Sequence, residues 1–467
     1  MGRLSHELVV RGGRVVTPDG VREADIAVSG GRICDVLPSR SGVAAAADVD
    51  ARGLFVLPGL IDSHVHFRTP GLTHKEDWAH ASRGAVAGGV TTVLDMPNTD
   101  PPTFSPGAAR DKDAEIRGTS LVDYRFHAGV DPADVDRVRA FAPFVATSAK
   151  AFLTGHHTAP HVLRELEGLD ALFRAGAERG LQLVFHAEDD AVFSLLDRWL
   201  GEPSTHHDYE RHRPRSGGIV AVARLIELCR RHGTPVHVLH VSGKEEADLL
   251  TAAGAAGLPV TWEVLGHHLS FTAADTQRSG SRIRLSPSIR EDADRERLWE
   301  AVLRGDVTTV GSDHAPHPLE DKERAAPDAP PGLPGVQELF PALFTGLRRR
   351  RPDIDDGELL RIVARVLASE PARLFGLDHR KGAVIPGRDA DLVLVDPSRH
   401  WSIGAGDVQA RCGWSAYEGW QFTGRVERTF RRGATAFRRT AGGMEFGPPD
   451  GRWLDTAPSR TTEEVSR

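Results

Sequence analysis

An α/β fold is predicted, a (β/α)8 barrel carrying a small β-sandwich built from both termini, and three features of the 467-residue chain predict it. Apolar and polar residues alternate near the N-terminus and again near the C-terminus, which is the two-residue period of short antiparallel strands. Between those segments short β-rich runs alternate with longer helical ones, the rhythm of a parallel sheet covered by helices. The length suits one large barrel with an appendage, and 40% hydrophobic with 26% charged residues supply an ample core.

Residues 1–57 form the first part of the composite β domain. Glu7 to Val16 and Asp25 to Val36 alternate in character, with Gly12-Gly13 and Gly30-Gly31 supplying turns. Residues 58–377 form the barrel, with strands ending near His66, Met96, Ala128, Phe152, His186, His240, Val264 and Gly311. Glu76 to Ala87, Pro160 to Arg179 and Gly218 to Arg231 read as intervening helices, and Arg348 to Arg351 as the solvated end of another. Residues 378–440 return to the β domain: Gly387 to Asp391 turns into a strand at Leu392 to Val395, and Gly424 to Phe430 makes a second. Residues 441–467 are polar and without period, and are expected to be a mobile tail.

Composition narrows the function. Lys and Arg number 58 against 65 Asp and Glu, a net charge of -7, and no long basic block is present to track phosphates, so nucleic acid is not an expected partner. Nowhere do enough apolar residues follow one another to span a bilayer, so no membrane partner is expected. Cys34, Cys229 and Cys412 are too scattered for a disulfide framework or a thiolate metal site, which points to a reducing, cytoplasmic compartment. Any metal must therefore be held by histidines and carboxylates.

The run Pro58 to Arg68 begins as a buried strand and places His64 and His66 two residues apart, where both side chains point the same way. Taken alone the pair is about as well explained by chance. Lys150 stands in the apolar strand Ser148 to Leu153, where a charged ammonium is costly to bury. Pairing with a carboxylate would relieve that cost; so would reaction of the neutral amine with carbon dioxide, giving a carbamate able to bridge two metal ions. His186 follows Leu183 to Phe185, His240 follows Val236 to Leu239, and Asp313 follows Val310 to Ser312, each at a strand end. A lone strand-end histidine is more often structural, but six such groups converge on the end of a barrel where catalytic sites lie. Two zinc-like ions with one carbamate, one aspartate and one bridging hydroxide would leave a net positive site suited to an oxyanion. Asp313 is placed to carry a proton to the leaving nitrogen.

With those residues stand Asp95 to Thr99, His237 to Ser242, His267-His268-Leu269, Asp313 to His317, Pro334-Gly335-Val336 and Cys412 to Ser415. Together they resemble the cyclic amidohydrolases of the amidohydrolase superfamily, and among these the dihydroorotases, from about Glu7 to Gly433. The resemblance implies two zinc ions, one held by His64, His66 and Asp313, the other by His186 and His240, with carboxylated Lys150 between them. It implies interconversion of N-carbamoyl-L-aspartate and dihydroorotate in pyrimidine synthesis. Arg68, Asn98 and His317 would then grip the carboxylate of that small-molecule substrate. A homo-oligomer and a transcarbamoylase partner are the associations the resemblance suggests.

Bland readings stand beside these: Arg68 as an ion pair at the barrel mouth, Asn98 as a turn residue, His317 as a loop anchor. His156, His157, His161, His206, His207 and His212 read as solvated loop histidines. Trp414, Tyr417 and Trp420 read as packing between the terminal β domain and the barrel. Two motifs depart from the dihydroorotase pattern: Ser286-Pro287-Ser288-Ile289-Arg290 stands where Asn-Pro-Pro is usual, and Leu265-Gly266 where Thr-Pro is usual. A serine at the first of these resembles hydantoinases, and Pro70 to Asp77 with Asp95-Met96-Pro97 would fit allantoinase equally, so these are the rival enzymes, and a catalytically silent scaffold that has lost its metals is the rival of another class.

Overall fold

The computed structural model describes residues 6–155, 158–326 and 328–455. Its centre is a set of parallel strands. Leu60–Val65, Val90–Asp95 and Asp123–Phe126 make one sheet in that order. Ala128–Gly129, Ser148–Phe152, Gln182–His186, Val236–Val238, Val260–Leu265 and Thr309–Gly311 make the second. Only His127 separates the last strand of the first sheet from the first strand of the second. At the other end a parallel bridge pairs Val65 with His314, and the His66 N–H donates to the His314 carbonyl at 2.9 Å.

These strands are buried on both faces, as parallel strands covered by helices must be. The helix Trp78–Ala87 starts where Asp77 accepts the His80 N–H, and Pro106–Ile116 starts where Ser105 caps a proline-led first turn. The stretch expected to be helical from Pro160 begins only at Leu166, and the helix Leu166–Arg179 ends on left-handed Gly180. The delay has a local cause: the Leu163 N–H donates to the Phe152 carbonyl, holding the preceding chain against the strand end. Among the described residues no helix is long and apolar enough to cross a membrane.

Strands from both termini meet in one nine-stranded mixed sheet. Its junction is Phe55–Pro58, which runs antiparallel to Leu392–Ser402 on one side and parallel to His6–Thr17 on the other. Trp414 and Tyr417 pack with Leu265, Phe271 and Leu333, and partly buried Trp420 meets Phe271 and Tyr417 edge to face, so this aromatic group does join the C-terminal region to the strand layer.

The expectation of a mobile tail from 441 onward is corrected over residues 441–455. Gly443–Phe446 is a strand of the terminal sheet, and Trp453 bridges in parallel to Tyr124. Leu454 is buried, its N–H donates to the Tyr124 carbonyl, and the Arg125 guanidinium donates to the Leu454 carbonyl. Trp453 and Leu454 are two apolar anchors in an otherwise polar text, too short a signal for a periodicity argument. The rest of the expected tail, 456–467, lies outside the described residues.

Candidate metal centre

A pocket opens at the C-terminal ends of the parallel strands, lined by His64, His66, Arg68, Lys150, His186, His240 and Asp313 together with Ser286 and Gly332. All six predicted metal ligands therefore reach one cavity. One Asp313 oxygen lies 3.2 Å from His64 Nε2 and 3.0 Å from His66 Nε2, and one donor atom from each of the three residues falls within 4.8 Å of the others. Ligands around a tetrahedral zinc stand about 3.3 Å apart. The rings of His186 and His240 meet edge to face at 4.5 Å, and His240 lies 5.3 Å from His64.

Three of the four histidines are oriented from behind. The His64 Nδ1–H donates to Glu263 at 2.7 Å, and the His186 Nε2–H donates to Glu188 at 2.9 Å. Asn98 uses its Nδ2 on the Thr158 carbonyl, so its oxygen accepts the His66 Nδ1–H at 2.9 Å. The tautomers that follow leave His64 Nε2, His66 Nε2 and His186 Nδ1 as the lone-pair nitrogens, the usual partnership between a metal-ligating histidine and an outer acceptor.

Electrostatics separates these groups. Burial pushes His66 down to about 3, which keeps it neutral. Burial also acts against His64, but Asp313 and Glu263 overcome it and raise that ring to about 9 in the absence of a cation. Burial opposes the charge of Asp313 too; with no cation present the charged His64 ring beside it prevails and holds the carboxyl well below its usual range. Lys150 is wholly buried, Nζ has no hydrogen-bond partner, and burial lowers it to about 7, so near neutral pH a large fraction is the free amine that carbamate formation requires. His240 Nδ1 is likewise buried without a partner.

The backbone is strained at the same place. Arg68, His240 and Asp313 adopt φ of 63°, 40° and 45°, three of the five non-glycine residues with positive φ among those described. Such conformations cost about 1–3 kcal/mol each and persist where surrounding structure imposes them, commonly at functional sites. Unpartnered buried nitrogens, donors at metal-ligand spacing and imposed strain all fit a resident divalent metal.

The three residues expected to bind a substrate carboxylate sit in different settings. Arg68 lines the pocket, is 2% exposed, and has Nε and Nη1 buried without a partner. Asn98 is committed to His66 and Thr158. His317 is buried beside Gly332, its carbonyl accepting the Trp414 indole N–H at 2.9 Å, and it is not among the residues lining the cavity. Of the loop histidines, His212 is buried rather than solvated, His207 is exposed and paired with Thr276, and His156 and His157 lie outside the described residues.

Sequence reasoning passed over Glu263 and Glu188, the acceptors behind His64 and His186. Glu263 carried a usable signal, a carboxylate within the apolar run Val260–Leu265, the same anomaly that singled out Lys150. Its neighbour Gly311 is glycine for a steric reason: a Cβ there would sit 2.5 Å from a Glu263 oxygen.

The profile of the amidohydrolase family matches residues 55–436. An allantoinase of Streptomyces avermitilis is 36% identical over 97% of this chain and 99% of its own length. A dihydroorotase of Halobacterium salinarum is 38% identical over 86% of this chain and 91% of its own. The solved structure of an L-hydantoinase (dihydropyrimidinase) from Arthrobacter aurescens superposes with a TM-score of 0.89, covering 97% of this chain and 100% of that one at 28% identity. A metal-ligand cluster at parallel strand ends, inside a match that spans most of the sequence, places this chain in the amidohydrolase family, among the enzymes that hydrolyse carbon–nitrogen bonds of cyclic amides.

Proposed function

We propose that the protein opens the ring of a small cyclic ureide by hydrolysing an amide bond, with allantoin as its substrate. The observation that carries the hydrolase reading is Lys150, buried without a hydrogen-bond partner among four histidines and Asp313. We read the two parallel sheets as a closed eight-stranded barrel, joined through His127 and through the bridge from Val65 to His314. His64, His66, His186, His240, Asp313 and Lys150 as its carbamate would hold two zinc ions. Such ions supply Lewis acidity and lower the pKa of their water.

The chain's own residues do the rest. Glu263, Glu188 and Asn98 keep three histidines in one tautomer and orientation. Asp313, held ionised and within hydrogen-bond reach of two rings, accepts a proton and returns it to the leaving nitrogen. The small pocket excludes bulk water from around the reacting carbonyl.

Allantoin is favoured by relatives named allantoinase that match 96–97% of the chain. Ser286 tells against dihydroorotate, since serine stands where dihydroorotases carry asparagine and resembles hydantoinases there; its hydroxyl donates to Glu188 at 3.1 Å. The expectation of dihydroorotate survives as a second reading because of Arg68. Two buried guanidinium donors without partners fit a carboxylate, which allantoin lacks.

The test is turnover by the zinc-loaded protein of allantoin, dihydroorotate, N-carbamoyl-L-aspartate and hydantoin, each also with Arg68→Gln. Allantoin is expected to be opened fastest, with Arg68→Gln changing that rate little. Preference for dihydroorotate, lost by about 10- to 100-fold in Arg68→Gln, would establish the second reading instead. Absence of turnover on every ring, with no zinc bound, would leave the silent scaffold.

A further inference from the structure

Two irregular segments contribute walls to the pocket beside the histidines. One supplies Ser286 and the other Pro331 and Gly332. They are stitched together: the Gly332 N–H donates to the Arg284 carbonyl at 3.0 Å, and the Ala315 N–H to the Leu333 carbonyl at 2.8 Å. Gly332 has φ of +125°, and a Cβ there would lie 2.4 Å from the Ala315 carbonyl oxygen, so only glycine fits this close approach.

Behind this seam lies Lys322, the last residue of the short helix Leu319–Lys322, with 0% exposure. Its Nζ donates to the Pro330 carbonyl at 2.8 Å, the Gly332 carbonyl at 2.9 Å and the Arg284 carbonyl at 3.3 Å. An ammonium has three donors, and all three are spent on the main chain of the two pocket walls. Burial and the neighbouring Arg284 guanidinium both work against its charge. Taking an ammonium out of water costs several kcal/mol, and methionine would fill the same volume without that cost. What methionine cannot do is hold three carbonyls from two segments at one point.

We propose that Lys322 is a positioning residue that sets the width of the ring-binding pocket by clasping the Arg284–Ser286 wall to the Pro330–Gly332 wall, and so governs which cyclic amides the enzyme prefers. The clasp does not touch the metal ligands. Through Arg284 it fixes the chain two residues before Ser286, whose hydroxyl meets Glu188, and through Gly332 it fixes the opposite face. The inference rests on the reading that the pocket takes a cyclic ureide, but the clasp itself can be measured without turnover.

The test uses full-length, zinc-loaded Lys322→Met, with Lys322→Gln, which keeps two N–H donors, as the intermediate case. Zinc content should equal that of the wild type. Amide exchange should quicken about tenfold or more in peptides spanning 282–290 and 328–334, and stay unchanged in Val90–Asp95. KM for the preferred ring should rise about tenfold with kcat falling less than about threefold, and the ratio of kcat/KM between two rings should shift by about tenfold. The Gln variant should fall between, and it carries the same test if the Met variant does not fold. Unchanged exchange in the two wall segments, exchange raised uniformly along the chain, or KM and ring preference within about twofold of wild type would overturn the proposal. If the wild type opens none of the rings, the ureide reading fails by itself, and local exchange alone decides the clasp.

Discussion

Two wholly buried lysines stand in opposite electrostatic settings. Lys381, at the junction between the parallel strands and the terminal sheet, is 2.7 Å from Asp123, 2.7 Å from Asp391 and 3.0 Å from Asp389. Burial works against its charge, but the three carboxylates win and raise its pKa. Lys150 has no hydrogen-bond partner, and burial takes it down to about 7. The same side chain keeps its proton where its charge is answered within the protein and gives it up more readily where it is not. The carboxylates repeat the contrast. Burial would raise Asp123, yet Lys381 and Arg432 hold it at about 2, whereas Glu246 is carried up to about 7 by burial that Arg290 and one backbone N–H do not offset.

The contrast breaks most visibly in catalysis. Lys150→Met should abolish zinc binding and lower turnover on the order of a thousandfold or more, without lowering the stability of the metal-free protein, since burial works against that ammonium and no hydrogen bond holds it. Asp313→Asn should lose turnover to a similar extent while keeping the fold. Zinc analysis, kinetics and urea melts check both, and full zinc occupancy in Lys150→Met would refute the carbamate.

Lys381→Met should act oppositely. It leaves Asp123, Asp389 and Asp391 facing one another and should cost about 3–5 kcal/mol of unfolding free energy, with zinc content unaltered. A stable Lys381→Met protein would show that Arg380, Arg431 and Arg432 suffice for that cluster.

Glu246 sharpens the comparison through pH. Its folded pKa of about 7 lies above the ordinary glutamate value of 4.5, so the folded state holds the proton more tightly. Its contribution to stability is present in full below 4.5 and is lost as pH rises through about 7, a change of up to about 3 kcal/mol. Glu246→Gln should flatten the stability curve between those limits; an unchanged slope would assign the effect elsewhere. The smallest expected effect belongs to Glu263→Gln, which should weaken zinc binding by about 10- to 100-fold, read by competition with a chelator.

Much of the site was legible in the text of the chain. His64, His66, Lys150, His186, His240 and Asp313 stand where short apolar runs end, and a parallel strand presents its C-terminal residues to one side of the sheet. The role of Asn98 was not legible: nothing local distinguishes an asparagine that meets substrate from one that orients His66. The C-terminal anchor Trp453-Leu454 was read as tail because two apolar residues make no period, although Leu454 packs among Ile61, Leu94 and Val184.

The chain by itself determined its alternation of strand and helix, its ligand types and its family, because strand period, turn residues and motif spacing act over a few residues. Only the tertiary structure decided which carboxylate answers which cation. Glu263 meets His64 across 199 positions and Lys381 meets Asp123 across 258. Those pairings depend on how strands stack and which loops cover them, and desolvation, set by the whole packed fold, then separates the charges that are satisfied from those left to act.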